Sequence, residues 1–497
     1  MTAELSAPGG APGVYIKEIP SGLRIITGAG TSTPAFLGYP VTRPEGGSSP
    51  QPVRSWNEFV DAFHFRSGLT LEQTTEALGL LEPLRSAFAT ADGTLKAQAL
   101  AADVTEPDYQ RFGEVTEALE AGRSVIDADK DFAAGIKAKV KDLPGYNGWE
   151  TKGKPWWPVA ARHRELTQLK DDLTKGRRYA LAEAVYGFFA NGGTKCYVVP
   201  LDPGNALDSE VDSGLTDLLT VPDVHMVAVP DLWTNSQDPT RGLPVIGAVV
   251  AHCLKMRNRL AILEPPPGKK ASEVLTFAGS LGSVDPDAEF TTLYYPWLDV
   301  PGLNGTPRTV PPCGHIAGVW ARTDAERGVF KAPANQNLRG VLSVPTLLTD
   351  QQNGELNEKG VNCLRVFPDR GLLVWGARTR STSRDWKYLN VRRLVSFLSD
   401  SIRQSSTWAV FEPNDERLWA ALRHAVSSFL TDQWRQGALV GHKPDEAFYV
   451  ICDDTNNRPE SIDEGKVVCD IGVAPVRPAE FVHFTITQIA GQPGKSS

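Results

Sequence analysis

The sequence predicts a mixed α/β protein with more than one domain, for three reasons. The chain has 497 residues, which is longer than a single domain usually is. Short apolar runs typical of buried strands alternate with longer stretches in which apolar residues recur at helical spacing. Hydrophobic residues make up 41% and charged residues 22% of the chain, a balance typical of folded globular proteins.

Apolar runs in the first half of the chain predict four strands, separated by helical stretches: residues 34–38, 196–199, 224–229 and 260–263. A strand–helix–strand succession implies a sheet with helices packed on it. Residues 66–177 interrupt this succession, because their apolar residues recur at helical spacing with no strand pattern among them. We therefore predict that 66–177 form an inserted helical domain.

Two helices in the first half have recognisable bounds. One begins at Trp56. The other begins at Tyr179 and ends at 191–193, where Asn-Gly-Gly provides a C-cap. Its predicted buried face consists of Ala182, Val185, Tyr186 and Phe189.

The C-terminal part predicts two helices followed by two strands. The first helix carries Val391, Leu394, Leu398 and Ile402 on one face. In the second, Asn414 is the expected N-cap, and the helix ends at Gly437. Its inward residues are Leu418, Leu422, Val426 and Phe429. Residues 447–452 and 466–471 read as strands around a polar loop.

Each chain end carries a strand pattern next to a Gly- or Pro-rich stretch. At the N-terminus the strand residues are Val14, Tyr15, Ile16 and Glu18. At the C-terminus they are Val482, Phe484 and Ile486, which alternate with polar residues. From the pattern alone, these are edge strands of the chain's own sheet or strands that pair with another subunit.

No local motif supports catalysis or cofactor binding. Residues 267–270 contain the Gly-Lys of a phosphate loop but lack its earlier glycine and its Ser or Thr. Residues 453–457 superficially resemble a calcium loop, but Arg458 stands where the sharp turn needs glycine. The six cysteines are scattered without metal-ligand spacing, which predicts reduced, mostly buried thiols. We expect no cofactor and no metal, although an α/β enzyme with a dispersed active site remains an alternative.

Charge and hydropathy exclude two further classes of partner. The formal net charge is −8, whereas general nucleic-acid binding requires a basic surface. The longest apolar run, residues 245–253, is too short to span a bilayer. The first residues lack the pattern of a signal peptide. We expect a cytoplasmic protein without nucleic-acid partners or direct membrane insertion.

Several short segments occur in an order that resembles the sheath proteins of contractile tails, found in myophages, R-type pyocins and phage-derived injection systems. The segments are 294–298 (YYPWL), 310–315 (VPPCGH), 327–335 (RGVFKAPAN), 362–365 (NCLR), 374–379 (VWGART), 386–388 (WKY), 392–393 (RR), 410–414 (VFEPN) and 478–481 (PAEF). A single one would be weak evidence, but the ordered set is specific to that family.

The resemblance implies a structural function without enzymatic activity. Sheath subunits assemble as stacked hexameric rings or a helical tube around an inner tube protein, between a baseplate and a cap. The tube contracts from a metastable extended state and drives the inner tube through a target envelope. The expected function is therefore a sheath subunit of an injection system, with the sheath of an ordinary myophage tail or a baseplate component as alternatives.

The resemblance also assigns roles to residues. The terminal strands become arms that pair with neighbouring subunits, and the expected acceptor is a hairpin containing Phe448, Val450, Val467 and Cys469. Arg417, Arg423 and Lys443 either contact the inner tube or lie on an ordinary solvated helix face. The predicted domains are an N-terminal arm (1–20), an α/β body (21–65 and 178–345), the insert (66–177), a C-terminal sheath domain (346–480) and a C-terminal arm (481–497).

Overall fold

The computed structural model describes residues 25–40, 49–63, 75, 78–79, 167, 170, 180–202, 205–234, 237–285, 288–303 and 307–481. The described residues divide into two compact units. The larger unit comprises 30–399 and 476–481, and the smaller unit comprises 25–29 and 400–475. The predicted boundary at 345 lies inside the larger unit, because strands on both sides of it belong to one sheet.

The described residues contain thirteen strands. They are β1 (Pro34–Gly38), β2 (Gln51–Val53), β3 (Cys196–Pro200), β4 (Met226–Ala228), β5 (Leu260–Leu263), β6 (Thr291–Tyr295), β7 (Leu298–Val300), β8 (Arg308–Val310), β9 (Gln336–Asn337), β10 (Val361–Phe367), β11 (Gly371–Val374), β12 (Phe448–Ile451) and β13 (Asp470–Val473).

The α-helices of the same residues are α1 (Trp56–Ala62), α2 (Ala180–Ala190), α3 (Leu207–Asp217), α4 (Pro239–Met256), α5 (Ala271–Ser280), α6 (Cys313–Arg327), α7 (Asp350–Glu358), α8 (Leu389–Ser405), α9 (Glu416–Arg435), α10 (Pro444–Ala447) and α11 (Pro459–Asp463). Within this described part of the chain, no helix combines the length and hydropathy that a membrane-spanning segment needs.

The larger unit is built on a nine-stranded mixed sheet with the order β2-β3-β1-β4-β5-β6-β10-β11-β9. The six strands from β3 to β10 are parallel to their neighbours, whereas β2 and β11 pair antiparallel at the two sides. Strands β1 and β5 consist entirely of buried residues, as expected where both faces of a parallel sheet are covered. The mixed α/β class and the four strands predicted in the first half are confirmed.

Helices α2 and α6 pack against each other at close range because α6 carries two glycines. A Cβ added at Gly314 would lie 2.1 Å from the Ala184 carbonyl oxygen, and one added at Gly318 would lie 2.5 Å from that of Phe188. Real Cβ atoms do not approach other atoms so closely, so both positions require glycine. The first glycine belongs to the VPPCGH segment, which thus has a packing function.

The predicted helix at 179–193 is confirmed, but its predicted buried face is partly wrong. Tyr186 is 37% exposed and Phe189 is only partly buried, whereas Leu181 and Phe188 are fully buried. Helix α2 packs against both α6 and β1, so its buried stripe is wider than one face and is shifted toward them.

In the smaller unit, α9 packs on β12. Leu418, Trp419 and Leu422 form its apolar core with Cys452. The predicted inward residues Leu418, Leu422, Val426 and Phe429 are all buried.

The N-cap of α9 is Asp415, not the predicted Asn414. The Asp415 carboxylate accepts hydrogen bonds from the backbone N–H groups of Arg417 and Leu418. The Asn414 side chain is used elsewhere: its Nδ2 donates to the Lys466 carbonyl at 2.9 Å and its Oδ1 accepts from Trp419 Nε1 at 2.8 Å. Tertiary partners therefore decided which of two good capping residues became the cap.

The last strand begins at Asp470, so the predicted strand 466–471 is displaced. The side-chain amide of Asn457 binds the backbone of Val468, accepting from its N–H at 2.7 Å and donating to its carbonyl at 2.9 Å. These bonds satisfy the backbone groups that a partner strand would otherwise pair. Val467 and Cys469 consequently lie before β13 rather than within it.

Of the predicted insert 66–177, the structure describes only Thr75, Leu78, Gly79, Thr167 and Lys170, and all five are helical. The rest of the predicted insert, the N-terminal arm and the C-terminal arm after Phe481 lie outside the described residues.

Candidate functional site

The expected acceptor is a two-stranded antiparallel hairpin, β12–β13, in the smaller unit. Phe448 pairs with Val473, and Val450 pairs with Ile471. Among the described residues, no further strand joins this sheet. A two-stranded sheet has two open edges, and each edge offers backbone N–H and C=O groups to an added strand. Tyr449 and Ile451 of β12 are exposed apolar residues beside these edges.

Two of the four predicted acceptor residues occupy strand positions, and two do not. Phe448 and Val450 lie in β12. Val467 and Cys469 are partly buried and pack against the core cluster around Trp419 and Cys452. They support the hairpin from its own subunit.

The three basic residues predicted to face an inner tube differ in their surroundings. Arg417 and Lys443 are exposed. The Arg423 guanidinium donates from Nη1 to the Cys452 carbonyl at 2.7 Å, just beyond the end of β12. Arg423 therefore stabilises its own hairpin, whereas Arg417 and Lys443 are available to a partner.

Phe411 has a strained backbone and a fully exposed ring. Its φ is +68°, in the left-handed region, which costs a non-glycine residue about 1–2 kcal/mol. Its side chain is 102% exposed, so no contact with the described residues offsets that strain. The following residues are fixed by the hydrogen bonds of Asn414, and the exposed Val410 precedes it. A rigid loop that presents an aromatic ring to solvent is typical of a protein-contact site.

The segment that precedes the predicted C-terminal arm is held by Arg378. Its Nε donates to Glu480 Oε1 at 2.7 Å, and its Nη2 forms a second bond to Glu480 Oε2. The Arg378 backbone is fixed in turn by Asn362, whose Oδ1 accepts from the Arg378 N–H and whose Nδ2 donates to the Arg378 carbonyl. The segments NCLR, VWGART and PAEF therefore meet at one place.

The paired arginines of the RR segment are also bound within the larger unit. The Arg392 guanidinium lies 4.1 Å from the Trp386 ring centroid and 4.6 Å from that of Phe290. Arg393 forms a buried bidentate ion pair with Asp324 and donates to the Thr31 carbonyl. These residues stabilise the fold rather than binding an anion.

The sheet edge at which open α/β folds usually bind ligands is filled by side chains. That edge lies beyond the carboxyl ends of the parallel strands, here after β4 and β5. Asp231 accepts from the Tyr39 N–H and from the Thr234 hydroxyl, and both Asp231 and Glu264 are buried. The indole N–H groups of Trp233 and Trp297 donate to the carbonyls of Glu264 and Pro265. Within the part of the chain that the structure describes, both carboxyl groups are therefore shielded from solvent.

Burial governs the titratable groups at this edge. Burial raises the pKa of the Glu264 carboxyl well above its usual range. Burial, and then the nearby Glu264, raise the pKa of the Cys313 thiol well above its usual range, so the thiolate nucleophile does not form at neutral pH. Among the residues that the structure describes, no three His, Cys, Asp or Glu side chains are grouped as metal ligands. Asp453 accepts instead from the backbone and hydroxyl of Thr455 in a local turn.

The comparisons with known proteins agree on one family. The profile of the phage tail sheath protein central domain matches residues 217–380, and that of the phage tail sheath C-terminal domain matches residues 381–489. The two matched regions are contiguous and together span more than half of the chain. This chain belongs to the phage tail sheath protein family. The family is structural and non-enzymatic, which confirms the expectation that the chain is not an enzyme.

Relatives of known family match part of this chain in sequence. The tail sheath protein of Vibrio phage KVP40 is 29% identical over 183 residues, and that of Enterobacteria phage T4 is 28% identical over 191 residues. These matches cover 36% and 38% of this chain, and 26% and 28% of the two relatives. A putative prophage major tail sheath protein of Pseudomonas aeruginosa is 27% identical over 183 residues, or 46% of its length. The matches thus span less than half of these relatives.

Solved structures resemble almost the whole chain. A chain in the helical sheath of the anti-feeding prophage (AFP) in its contracted state has a TM-score of 0.62 and 26% identity, with 96% of this chain and 99% of that chain covered. A chain of the AFP baseplate has a TM-score of 0.61, also at 26% identity, with 97% and 99% covered. A chain of the PVC sheath complex in the contracted state, at 23% identity, shares the fold.

Sequence reasoning missed Phe411, Arg378 and Glu480 as site residues, although all three lie in segments that carried the family resemblance. The order of these segments was the only sequence signal that pointed to the three residues. Neither the positive φ of Phe411 nor the pairing of residues 102 positions apart leaves a local trace in the sequence.

Proposed function

We propose that this protein is the sheath subunit of a contractile, phage-tail-like injection system. One observation carries the proposal: the likeness to the AFP sheath covers 99% of that chain at 26% identity. The match to the phage sheaths, by contrast, spans less than half of each relative. The subunits polymerise without nucleotide into stacked rings or a helical tube, because head-to-tail contacts that do not close on themselves generate an open helix.

The joints between subunits are strands added to the β12–β13 hairpin. The terminal strands, with Val14, Tyr15 and Ile16 at one end and Phe484 and Ile486 at the other, would pair with the open edges of neighbouring hairpins. Backbone hydrogen bonds would give these joints strength, and alternate side chains would give them specificity. The Gly- and Pro-rich stretches next to the terminal strands would act as hinges. Subunits could then exchange their other contacts while the paired strands keep them connected. A metastable extended tube would thereby shorten without falling apart.

The remaining partners follow from this function. Arg417 and Lys443 are the candidate contacts to an inner tube protein, since both are exposed and basic. A baseplate would nucleate the extended state, and a cap would terminate it. The insert 66–177 would lie on the outside of the tube and would be dispensable for polymerisation. Assembly would take place in the cytoplasm, with no nucleic-acid partner and no membrane insertion.

Purified protein tests the proposal directly. Light scattering across a wide concentration range, followed by electron microscopy, should show tubes or stacked rings in the absence of nucleotide. A species that remains monomeric throughout would contradict the proposed assembly. Isolated rings that never stack would favour a baseplate component instead.

The sheath of an ordinary myophage tail is the second candidate, favoured by the 29% and 28% identity to the sheaths of KVP40 and T4. The neighbouring genes separate the two candidates. Capsid and terminase genes would indicate a phage, whereas an AAA+ ATPase and effector genes would indicate an injection system.

A further inference from the structure

Two thiols face each other at the loop end of the β12–β13 hairpin. The ladder ends with Ile451 opposite Asp470, so the same antiparallel register places Cys452 opposite Cys469. Cys452 belongs to the core cluster of the smaller unit, and Cys469 packs against that cluster. Both are free thiols, and the remaining four cysteines are buried in the larger unit.

The position of this pair in the ladder suits a disulfide. Opposite residues of antiparallel strands alternate between hydrogen-bonded and non-hydrogen-bonded pairs. The Ala474 N–H donates to the Ala447 carbonyl, so the alternation makes Cys452 and Cys469 a non-hydrogen-bonded pair. The Cα atoms of such a pair are about 4.5 Å apart with the side chains close together. A disulfide requires a Cα separation of about 4.4–6.8 Å, so the bond needs no large backbone movement.

Burial and their mutual proximity shift the pKa values of the two thiols. Burial raises the pKa of Cys469 to about 12, and the charge and hydrogen bond of the Cys452 thiol add to that rise. Burial also raises the pKa of Cys452. Cys469 is partly exposed and Cys452 is buried, so a reagent in solution meets Cys469 first.

We propose that Cys452 and Cys469 are a redox modification site, at which a low-molecular-weight disulfide such as oxidised glutathione converts the two thiols into one cross-strand disulfide. The bond closes the segment 453–468 into a covalent loop. It thereby fixes the start of β13 relative to the end of β12, where the ladder now depends on the side-chain amide of Asn457. This site does not depend on the function proposed above.

The reaction takes place in two exchange steps. The Cys469 thiolate attacks one sulfur of oxidised glutathione, which forms a mixed disulfide and releases one glutathione thiolate. Cys452, after losing its proton to solvent, attacks the Cys469 sulfur and releases the second glutathione thiolate. The protein loses two electrons and two thiol protons, and one glutathione disulfide becomes two glutathione thiols. Because both thiol pKa values are raised, the rate should increase about tenfold per pH unit near neutrality.

The test uses the full-length protein and oxidised glutathione at a series of pH values. Remaining thiols are alkylated, and the protein is then digested with trypsin and examined by mass spectrometry. Cleavage after Lys466 separates the two cysteines, so a disulfide-joined peptide pair identifies the bond. We expect that pair as the main product, together with a melting temperature several degrees higher that reverts on reduction.

Variants show whether the effect belongs to this pair. Cys452→Ser and Cys469→Ser should each stop at a glutathione adduct or remain unreacted, with no rise in melting temperature. The double variant Cys452→Ala/Cys469→Ala should be indifferent to the glutathione redox ratio. The peptide map of the wild-type protein tests the proposal even if one of these variants fails to fold. Two results would overturn the proposal: folded wild type that yields only mixed glutathione adducts, or a joined pair that forms only in denaturant.

Discussion

Arg378 and Glu480 form a bidentate ion pair that fixes the last described part of the chain to the larger unit. The side chains are 6% and 17% exposed, and the Nε–Oε1 distance is 2.7 Å. Glu480 lies directly before the predicted C-terminal arm (481–497) and two residues before Val482, the first of its predicted strand residues. The pair therefore fixes the chain immediately before the predicted arm, and if that arm pairs with a neighbouring subunit, any pull on it would act on this contact.

Glu480→Gln should lower the stability of the larger unit by about 2 kcal/mol, because it leaves the nearly buried Arg378 guanidinium without its counter-charge. Chemical denaturation of the purified variant measures the change. The matched control is Arg477→Ala, which removes an exposed pair with Asp385 whose side chains are 54% and 77% exposed. That control should change stability by less than about 0.5 kcal/mol. Equal effects of the two variants would show that the buried pair has no special role.

Gly314→Ala should destabilise the protein by about 1–3 kcal/mol or more, since its Cβ would force α6 away from α2. The added atom would lie 2.1 Å from the Ala184 carbonyl oxygen, and backbone atoms cannot rotate aside. Gly279→Ala is the control, because Gly279 lies in α5 with open space around it. It should stabilise by about 0.5–1 kcal/mol through helix propensity. Thermal melting should show a lower melting temperature for Gly314→Ala and a higher one for Gly279→Ala. An unchanged melting temperature for Gly314→Ala would refute the close approach of α6 to α2.

Glu264 should make stability fall as pH rises. Its pKa in the folded state is raised by burial well above the value of 4.5 expected in the unfolded chain. Its stabilising contribution is therefore fully present below pH 4.5 and is lost as pH rises through the folded-state pKa. Glu264→Gln cannot ionise and should escape that loss. The melting temperature of Glu264→Gln relative to wild type should therefore rise between about pH 5 and about pH 8.

The control for this pH dependence is Glu273→Gln in the first turn of α5. The Lys270 backbone N–H and the Lys269 ammonium hold the pKa of the exposed Glu273 below its usual value. Its contribution is present above the unfolded pKa of 4.5 and is lost as pH falls. The difference between Glu273→Gln and wild type should therefore shrink on acidification, opposite to the trend for Glu264→Gln. The same trend for both variants would mean that burial does not raise the pKa of Glu264.

The parts of the fold that were predictable from the sequence are those set by local composition. Runs such as 34–38 and 260–263 are apolar throughout because both sheet faces are covered, so they stand out as strands. The residues that were misjudged depend on distant partners. Asn414 lost the cap position because Trp419 and Lys466 bind its side chain, and 466–469 left the strand because Asn457 binds Val468. The surface features at Phe411 and Glu480 likewise come from tertiary geometry.

Phe411→Asn should weaken self-association while leaving the folded subunit intact. Asparagine tolerates the left-handed backbone at φ +68° better than phenylalanine does, and no buried contact is lost. The melting temperature should stay level or rise slightly, whereas the midpoint concentration for assembly in light scattering should increase. Phe429→Asn is the contrasting variant, since Phe429 is buried in α9 and its loss should unfold the smaller unit. Unchanged assembly of Phe411→Asn would exclude Phe411 from the subunit contact.

The terminal arms give the sharpest test of the proposed joints. Deleting residues 1–20, or everything after Glu480, should leave a folded subunit that cannot form a continuous sheath. A strand that completes its own domain exposes core when it is removed, whereas a strand that completes a neighbour's sheet leaves its own subunit intact. Ile16→Pro and Phe484→Pro should act in the same way, because proline removes a backbone donor from a paired strand.

Thermal melting and electron microscopy of each arm variant separate the two possibilities. The matched substitution Tyr449→Pro in β12 should disturb the folded monomer itself, because Tyr449 and Gly472 are a hydrogen-bonded pair of the ladder and proline removes that backbone donor. If the arm variants lower the melting temperature of the monomer as Tyr449→Pro does, the terminal strands belong to their own subunit. If they melt like wild type and yield only short or unconnected assemblies, the strands are the links between subunits, since only a contact made in the polymer can be lost without cost to the monomer.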